Sequence, residues 1–343
     1  KPNYAEAYLN LGNVLYDLGK LKESEISTRK AVELKPDSPD IHFNLSNILL
    51  KSKKFKEGWI EYEWRLKDKK RKQLENYKPK WNPEKRGRVL LKAEQGIGDV
   101  LLFSSLIPDF ITKVDQLIIS IDKRLIPLFE RSLNRNISFI SQTDFTEEIK
   151  YDFHIEMGSL PKYLRTSLDS FKKSKKLKLK ASEKRSKNLR AELLSKGYKK
   201  IVGISWKSSS KIRILNLTLE RLILGINSPK IRFVCLQYGS VKEEINQLNE
   251  KHNIDVYKSE KVDLFNDIDG LAALISACDE VVSIDNLTPI LAGALGIKSD
   301  VLLPINATWS HGEDNCMSYW YESMKYFRQS KDSNLDIVLM KIK

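Results

Sequence analysis

The sequence predicts an α/β protein: two Rossmann-like domains with parallel sheets, preceded by an all-α repeat segment. Three observations carry the prediction. Pro2 and Pro36 head two helical units in the same frame. From Arg88 onward, short apolar runs alternate with helical stretches. Two separated segments, LLKAEQGIGDVLLF (Leu90 to Phe103) and VVSIDNLTPILAGALG (Val281 to Gly296), each read as a strand, a turn bearing an acidic residue, and a helix opening on small residues. Such a unit leaves backbone N–H groups pointing out of its turn, where an anion can sit. Two of them suggest two domains facing each other across a cleft, with a phosphate-bearing ligand between them.

The 343 residues suffice for two or three domains. With 41% hydrophobic and 30% charged residues, the composition is that of a globular protein rather than a disordered one. No apolar run approaches the roughly 18 residues that a membrane span requires. The chain opens inside a repeat without a start methionine, so it is read as a fragment of a longer array. Cys235, Cys278 and Cys316 are widely spaced and form neither a zinc pattern nor a disulfide framework, which fits a reducing cytoplasm. With only 4 scattered histidines, no metal site and no cofactor are expected. The net charge of +14 is spread along the chain and densest from Lys172 to Lys200. That stretch has few interleaved aromatics and matches no nucleic-acid module, so it reads as a solvated face. It leaves open a peripheral contact with an anionic membrane surface.

The N-terminal elements follow from the repeat. Tyr8, Leu11, Gly12, Leu15, Ala31 and Pro36 occupy helix-contact and turn positions in the first unit, and His42, Leu45, Ser46, Leu49, Gly58 and Tyr62 take the same frame in the second. The 34-residue period is that of the tetratricopeptide repeat. Ser46 for Gly12 keeps a small residue where two helices touch. Repeats are assigned to 1–68 and a linker to 69–87, where Pro79 and Pro83 break any helix. A first α/β domain then covers 88–180, and a second covers 181–343. Strands are expected at Val89–Ala93, Leu117–Ile121, Ile137–Ser141 and Phe153–Glu156, then at Ile201–Trp206, Arg232–Gln237, Asp255–Tyr257, Glu280–Ile284 and Asp300–Leu303. The helices expected between them include Asp99–Phe110, Val241–Glu250, Asp267–Ala277 and Thr288–Leu295. The lysine-rich stretch 172–187 is expected to join the two series.

Four turns could carry chemistry. Gly96 and Gly98 permit a tight turn before Asp99, which reads equally as a helix-capping carboxylate or as a general base at the cleft. In GISWKSSSKIR (Gly203 to Arg213), Lys207, Lys211 and Arg213 could neutralise a diphosphate and the serines could donate to it. Gln237 of LQYG ends the next strand, where it could meet a nucleobase or sugar edge. Asp285 and Asn286 end a later strand, with Thr288 expected as N-cap and Pro289 at the first helical position.

Together these residues resemble a known group. GxGDVLLF is similar to the opening motif of heptosyltransferase-like glycosyltransferases, and DNLTPILAGALG to their later D-[TN]-x-x-x-H-L-A-[GA]-A-L-G motif. The repeats, GWIEYEWR (Gly58 to Arg65), AEQGIGD and SYWYESMKYFRQ resemble bacterial repeat-containing glycosyltransferases related to the protein O-GlcNAc transferases. The resemblance implies a glycosyltransferase-B fold, with 88–180 as the acceptor-side domain and 181–343 as the nucleotide-sugar-binding domain, and inverting, metal-independent transfer from a nucleotide sugar to a hydroxyl of a protein, glycan or lipid-linked saccharide, presented by the repeats. It makes Asp99 the base, puts Asp285, Asn286 and Thr288 in the donor-phosphate turn, and gives Lys207 or Arg213 the positive charge. One position departs. Ile290 stands where that motif has histidine, and it can neither donate to a phosphate nor carry charge. A repeat-mediated binding scaffold built on an inactive transferase-like domain is therefore the alternative reading.

Overall fold

The computed structural model describes residues 4–67, 78–133, 136–146, 148–195, 197–208, 215, 217–228, 230–329 and 335–342. Helices α1 (Ala5–Asp17) and α2 (Leu21–Leu34) form one antiparallel hairpin, and α3 (Pro39–Lys51) and α4 (Phe55–Tyr62) form the next. Small residues set the spacing within each. A Cβ on Gly12 would stand 2.3 Å from Thr28 Oγ1, and one on Gly58 would stand 2.8 Å from Leu50 Cδ2. Ser46 is fully buried at its matching position. A 3-10 turn, Glu63–Lys67, ends the second hairpin. The expected boundary stretch 67–72 falls almost wholly outside the described residues. The rest of the linker rejoins at Lys80, which bridges to His154, and at the buried Trp81.

Two parallel sheets follow. In the first, β1 (Arg88–Lys92), β2 (Gln116–Ile121), β3 (Ile137–Ser141) and β4 (Phe153–Glu156) lie in the order β3-β2-β1-β4. Helix α5 (Ile97–Ser104) follows β1, and α6 (Ile107–Phe110) follows it closely. The single helix expected over Asp99–Phe110 is thus broken. Pro108 has no N–H to continue the ladder, and the hydroxyls of Ser104 and Ser105 turn back to the carbonyls of Leu101 and Leu102, each at 2.7 Å. Helix α7 (Ile126–Ser132) joins β2 to β3, and α8 (Pro161–Leu164) and α9 (Leu168–Lys172) follow β4.

The chain then crosses to the second sheet through the lysine-rich stretch, anchored where the Leu179 N–H donates to the Ala294 carbonyl at 2.8 Å. Its elements are α10 (Glu183–Leu194), β5 (Lys200–Ser205), α11 (Leu219–Ile226), β6 (Ile231–Cys235), α12 (Lys242–His252), β7 (Val256–Tyr257), α13 (Ile268–Ala277), β8 (Glu280–Ile284), α14 (Leu287–Leu295), β9 (Lys298–Leu303), β10 (Met324–Arg328) and α15 (Leu335–Met340). The order β7-β6-β5-β8-β9-β10 is the doubly wound Rossmann order. Strand β10, which pairs in parallel with β9, was not expected from the sequence. Every strand pair of both sheets is parallel. Accordingly, central strands such as β8 are buried along their whole length.

Aromatic side chains fasten the parts together. Trp59 of α4 meets Phe103 of α5 edge-on at 6.4 Å and Trp309, from the loop after β9, at 5.4 Å. Trp320 packs on Phe103 at 5.9 Å and on Phe171 of α9 at 4.9 Å. The Tyr321 hydroxyl donates to the Leu101 carbonyl, and Lys53 pairs with Asp314 at 2.6 Å. The second hairpin and both α/β units therefore share one core. Among the described residues no helix is long and apolar enough to cross a membrane.

Candidate ligand-binding cleft

Strand order reverses between β5 and β8, so the connections leaving their C-terminal ends diverge to opposite faces and open a crevice. A cavity of ≈ 690 Å³ lies there, closed on the far side by the start of α5 from the first domain. Asp99, Asp285 and Lys207 bring charge to it; Trp206, Ile290 and Trp309 supply apolar wall.

Gly96 is the N-cap of α5, with extended backbone and no side chain to cap with, which places Asp99 third in the helix. Its half-buried carboxylate thus sits in the first turn, where the helix dipole favours negative charge. Gly98 lines the cleft. A Cβ there would lie 3.6 Å from Ile290 Cδ1, so the first turns of α5 and α14 touch through an apolar contact. Ile290 is part of the seam between the domains.

The turn after β8 is built differently from the sequence expectation. Asn286, not Thr288, is the N-cap of α14: its Oδ1 accepts from the Thr288 N–H at 2.9 Å. Thr288 is buried in the first turn and Pro289 is third in the helix, where a missing N–H costs nothing because first-turn donors have no intrahelical partner. The Asn286 amide also donates to Ser205 Oγ at 2.7 Å and to the Lys207 carbonyl at 3.1 Å. One side chain thereby ties the two diverging turns together and forms the cleft floor.

Gln237 serves the same framework from the other side. It is 3% exposed, and its Oε1 accepts from Ser205 Oγ, the Trp206 N–H and the Lys207 N–H at 3.0, 3.1 and 2.8 Å. Two of these donors lie just beyond the strand, where no ladder partner exists. The amide expected to meet a ligand instead holds the β5 turn in place. Lys207 Nζ pairs with Glu244 Oε1 of α12 at 2.5 Å, and Trp206 Nε1 donates to Glu244 Oε2 at 3.0 Å. Arg213 and Lys211 lie outside the described residues.

Asp285 faces the cleft and is flanked by groups that sequence reasoning left unplaced. His311 Nε2 is 2.9 Å from Asp285 Oδ1, at an angle that makes no hydrogen bond, and Thr308 Oγ1 donates to Oδ2 at 3.5 Å. Thr308, Ser310 and His311, a few residues ahead of SYWYE, were the available signal. Trp206 and Trp309 were also missed, because a tryptophan at a strand end or in a loop has no spacing to mark it.

The corresponding crevice of the first sheet, between β1 and β4, is filled. Arg65, from the turn ending the repeats, is 3% exposed, and each of its three guanidinium nitrogens donates there. Nε and Nη2 donate to Glu94 Oε1 at 3.1 and 2.8 Å, and Nη1 to Glu63 Oε1 at 2.9 Å and the Tyr62 carbonyl at 3.0 Å. Nη2 also reaches Ser159 Oγ at 3.0 Å. The Tyr62 hydroxyl donates to Gln95 Oε1 at 2.8 Å, and burial, reinforced by the nearby Asp99 and Glu94 charges, raises its pKa well above the usual phenol value. Among the described residues no three His, Cys, Asp or Glu side chains converge as metal ligands.

Residues 5–38 match the tetratricopeptide repeat family, and α3 and α4 repeat that hairpin. The chain is 28% identical over 358 aligned residues to Protein FlbA of Caulobacter vibrioides, an alignment covering 95% of this chain and 58% of that protein. A glycosyl transferase family 9 structure from Veillonella parvula superposes with a TM-score of 0.53 at 11% identity, covering 71% of this chain and 86% of that one. ADP-heptose lps heptosyltransferase II of E. coli superposes with a TM-score of 0.52 at 12% identity, covering 74% and 99%. At this identity the likeness shows the fold: paired Rossmann-like domains, here with repeat helices in front.

Proposed function

We propose that the protein is a glycosyltransferase that moves a sugar from a nucleoside-diphosphate donor to an acceptor hydroxyl. The observation that carries the reading is the meeting of two helix starts across one crevice. Asp99 stands in the first turn of α5 on one wall, and the start of α14 stands on the other, at the point where a doubly wound sheet binds its ligands. The donor diphosphate would lie against the α14 turn, whose helix dipole favours an anion. Asp99 would take the proton of the acceptor hydroxyl as that oxygen attacks the anomeric carbon, and the diphosphate would leave from the opposite face with inversion. A preorganised helix start stabilises the charge on the leaving group without a metal. The shared fold of two transferases supports this reading. The acceptor, a protein or saccharide, would reach the cleft beside the repeats, because Trp309 of its wall packs on Trp59 of α4.

A repeat-mediated scaffold without turnover is the second reading. Ile290 in the domain seam and the pairing of Lys207 with Glu244 favour it, since both leave the described wall poor in positive charge. Calorimetric titration with uridine, guanosine and adenosine diphosphates and their sugars separates the two. Saturable binding to one base, followed by turnover that Asp99→Asn abolishes, supports the transferase. No binding at millimolar ligand refutes it and favours the scaffold.

A further inference from the structure

Among the described residues that line the cleft, Lys207 is the cation, and its charge is engaged outside it. Its Nζ pairs with Glu244 Oε1 at 2.5 Å, while the Trp206 indole N–H donates to Glu244 Oε2 at 3.0 Å. Glu244 sits in the first turn of α12, where the helix dipole favours a carboxylate. With Thr218, Gln247 and Lys251 it lines a separate groove between α11 and α12. The carboxylate therefore draws the ammonium away from the crevice in which a diphosphate would need it.

The main chain and the side chain of Lys207 are held very differently. Its N–H donates to Gln237 Oε1 at 2.8 Å, and its carbonyl accepts from the Asn286 amide at 3.1 Å. These bonds fix the backbone beside the cap of α14, where the preceding proposal seats the diphosphate. The side chain, by contrast, is 50% exposed and that of Glu244 28%, so water screens the pair and makes it weak. A four-carbon stem moving between staggered rotamers can carry the ammonium from one side of this fixed point to the other. A charge-assisted contact with a doubly charged diphosphate inside the crevice is stronger than the exposed pair it replaces. Nor would the move strand Glu244. Its carboxylate keeps the indole N–H, the helix start and its contact with water.

We propose that Glu244 sets the donor affinity of this cleft: it withholds Lys207 until the diphosphate of a sugar nucleotide competes for the ammonium, and it keeps Trp206 in place throughout. The inference rests on the donor-site reading above. Glu244 acts through Lys207 and touches no reacting atom, which makes it a positioning residue. The pairing that favours a scaffold becomes, on this view, one half of an exchange.

The test is calorimetric titration with uridine-, guanosine- and adenosine-diphosphate sugars. The donor that binds is then titrated into Glu244→Gln, Lys207→Met and the double variant. Glutamine retains an oxygen for the Trp206 indole and removes only the charge. Glu244→Gln is expected to tighten binding about threefold, the worth of an exposed ion pair that no longer has to be broken. Lys207→Met should weaken it about tenfold. The double variant should bind like Lys207→Met alone, because without the ammonium Glu244 has nothing to withhold. A merely structural Glu244, anchoring Trp206 and the β5 turn, predicts the opposite sign. Unchanged or weaker binding by Glu244→Gln therefore overturns the inference and leaves the donor site standing. So does a tightening that persists in the Lys207→Met background, since Glu244 would then act on the ligand directly. No binding of any sugar nucleotide to the wild-type chain overturns the donor-site reading itself, and this inference with it.

Discussion

Replacing Arg65 with methionine should expose how far the α/β core depends on the repeats. The substitution keeps an unbranched apolar stem and removes all of the guanidinium donors that fill the β1–β4 crevice. Glu94, with 15% of its side chain exposed, then loses its cation, whereas Glu63, at 25%, has more access to water. Breaking a buried ion pair from one side costs about 3–5 kcal/mol, because the remaining charge is left uncompensated. The lower end applies here: Glu94 keeps the Gln95 amide at 3.1 Å and the Gly158 N–H at 3.4 Å. A loss of about 3 kcal/mol is therefore expected for Arg65→Met, and adding Glu94→Gln should return about half of it by removing the stranded charge. Urea unfolding followed by tryptophan fluorescence measures both, since Trp59, Trp309 and Trp320 sit in the shared core. A loss below about 1 kcal/mol, or a double variant no more stable than the single one, would refute the view that this crevice is held by charge.

Three further outcomes follow from the packing. Asn286→Ala removes the α14 cap and the bridge to the β5 turn; it should cost about 2 kcal/mol and weaken ligand binding more than stability, as comparing the unfolding midpoint with calorimetric affinity would reveal. Trp59→Ala opens a cavity where three parts of the chain meet, with an expected loss of about 3–5 kcal/mol and earlier proteolysis of the repeat hairpins, seen by limited digestion. The third outcome concerns the thiols. Burial pushes the Cys235 thiol up to about 11 and the Cys278 thiol up to about 12, so both hold their protons at pH 8, and a disulfide reagent should label Cys316 alone in the folded protein. Rapid labelling of all three thiols would contradict the burial described.

What the sequence disclosed was whatever has a short period or a local grammar. The repeat hairpins follow from small residues at Gly12, Ser46 and Gly58, and the expected strands recur within one or two residues of their places because each is a brief apolar run. Asp99, Gly98, Asp285 and Asn286 came together at one crevice because strand ends bearing turn residues converge in doubly wound sheets. Other features rest on contacts between distant residues. Gln237 reads like any polar residue at a strand end until three donors around Oε1 are seen. Arg65 resembles a surface charge on a repeat helix, and only the fold carries it into the β1–β4 crevice. Strand β10 escaped notice because MKYFR mixes cations with aromatics, a pattern that suits an edge strand with one wet side. The helix break at Pro108 was legible in principle, since proline cannot donate, but the apolar run through it outweighed that signal.

The small clusters that hold the first hairpin have a consequence for how such a chain can vary. Ala5, Ala31 and Ile41 form one, and Tyr16, Leu21 and Ile48 another; both stand apart from the core that unites α4 with the two sheets. The mechanical seam of the molecule is therefore the joint of small clusters by which α1 and α2 sit on Ile41 and Ile48 of α3, rather than a boundary between helices and sheets. Units on the far side of that seam can be added, lost or exchanged like lengths of a ruler, altering reach without disturbing the crevice. The second hairpin has no such freedom, and descends with the domains it braces.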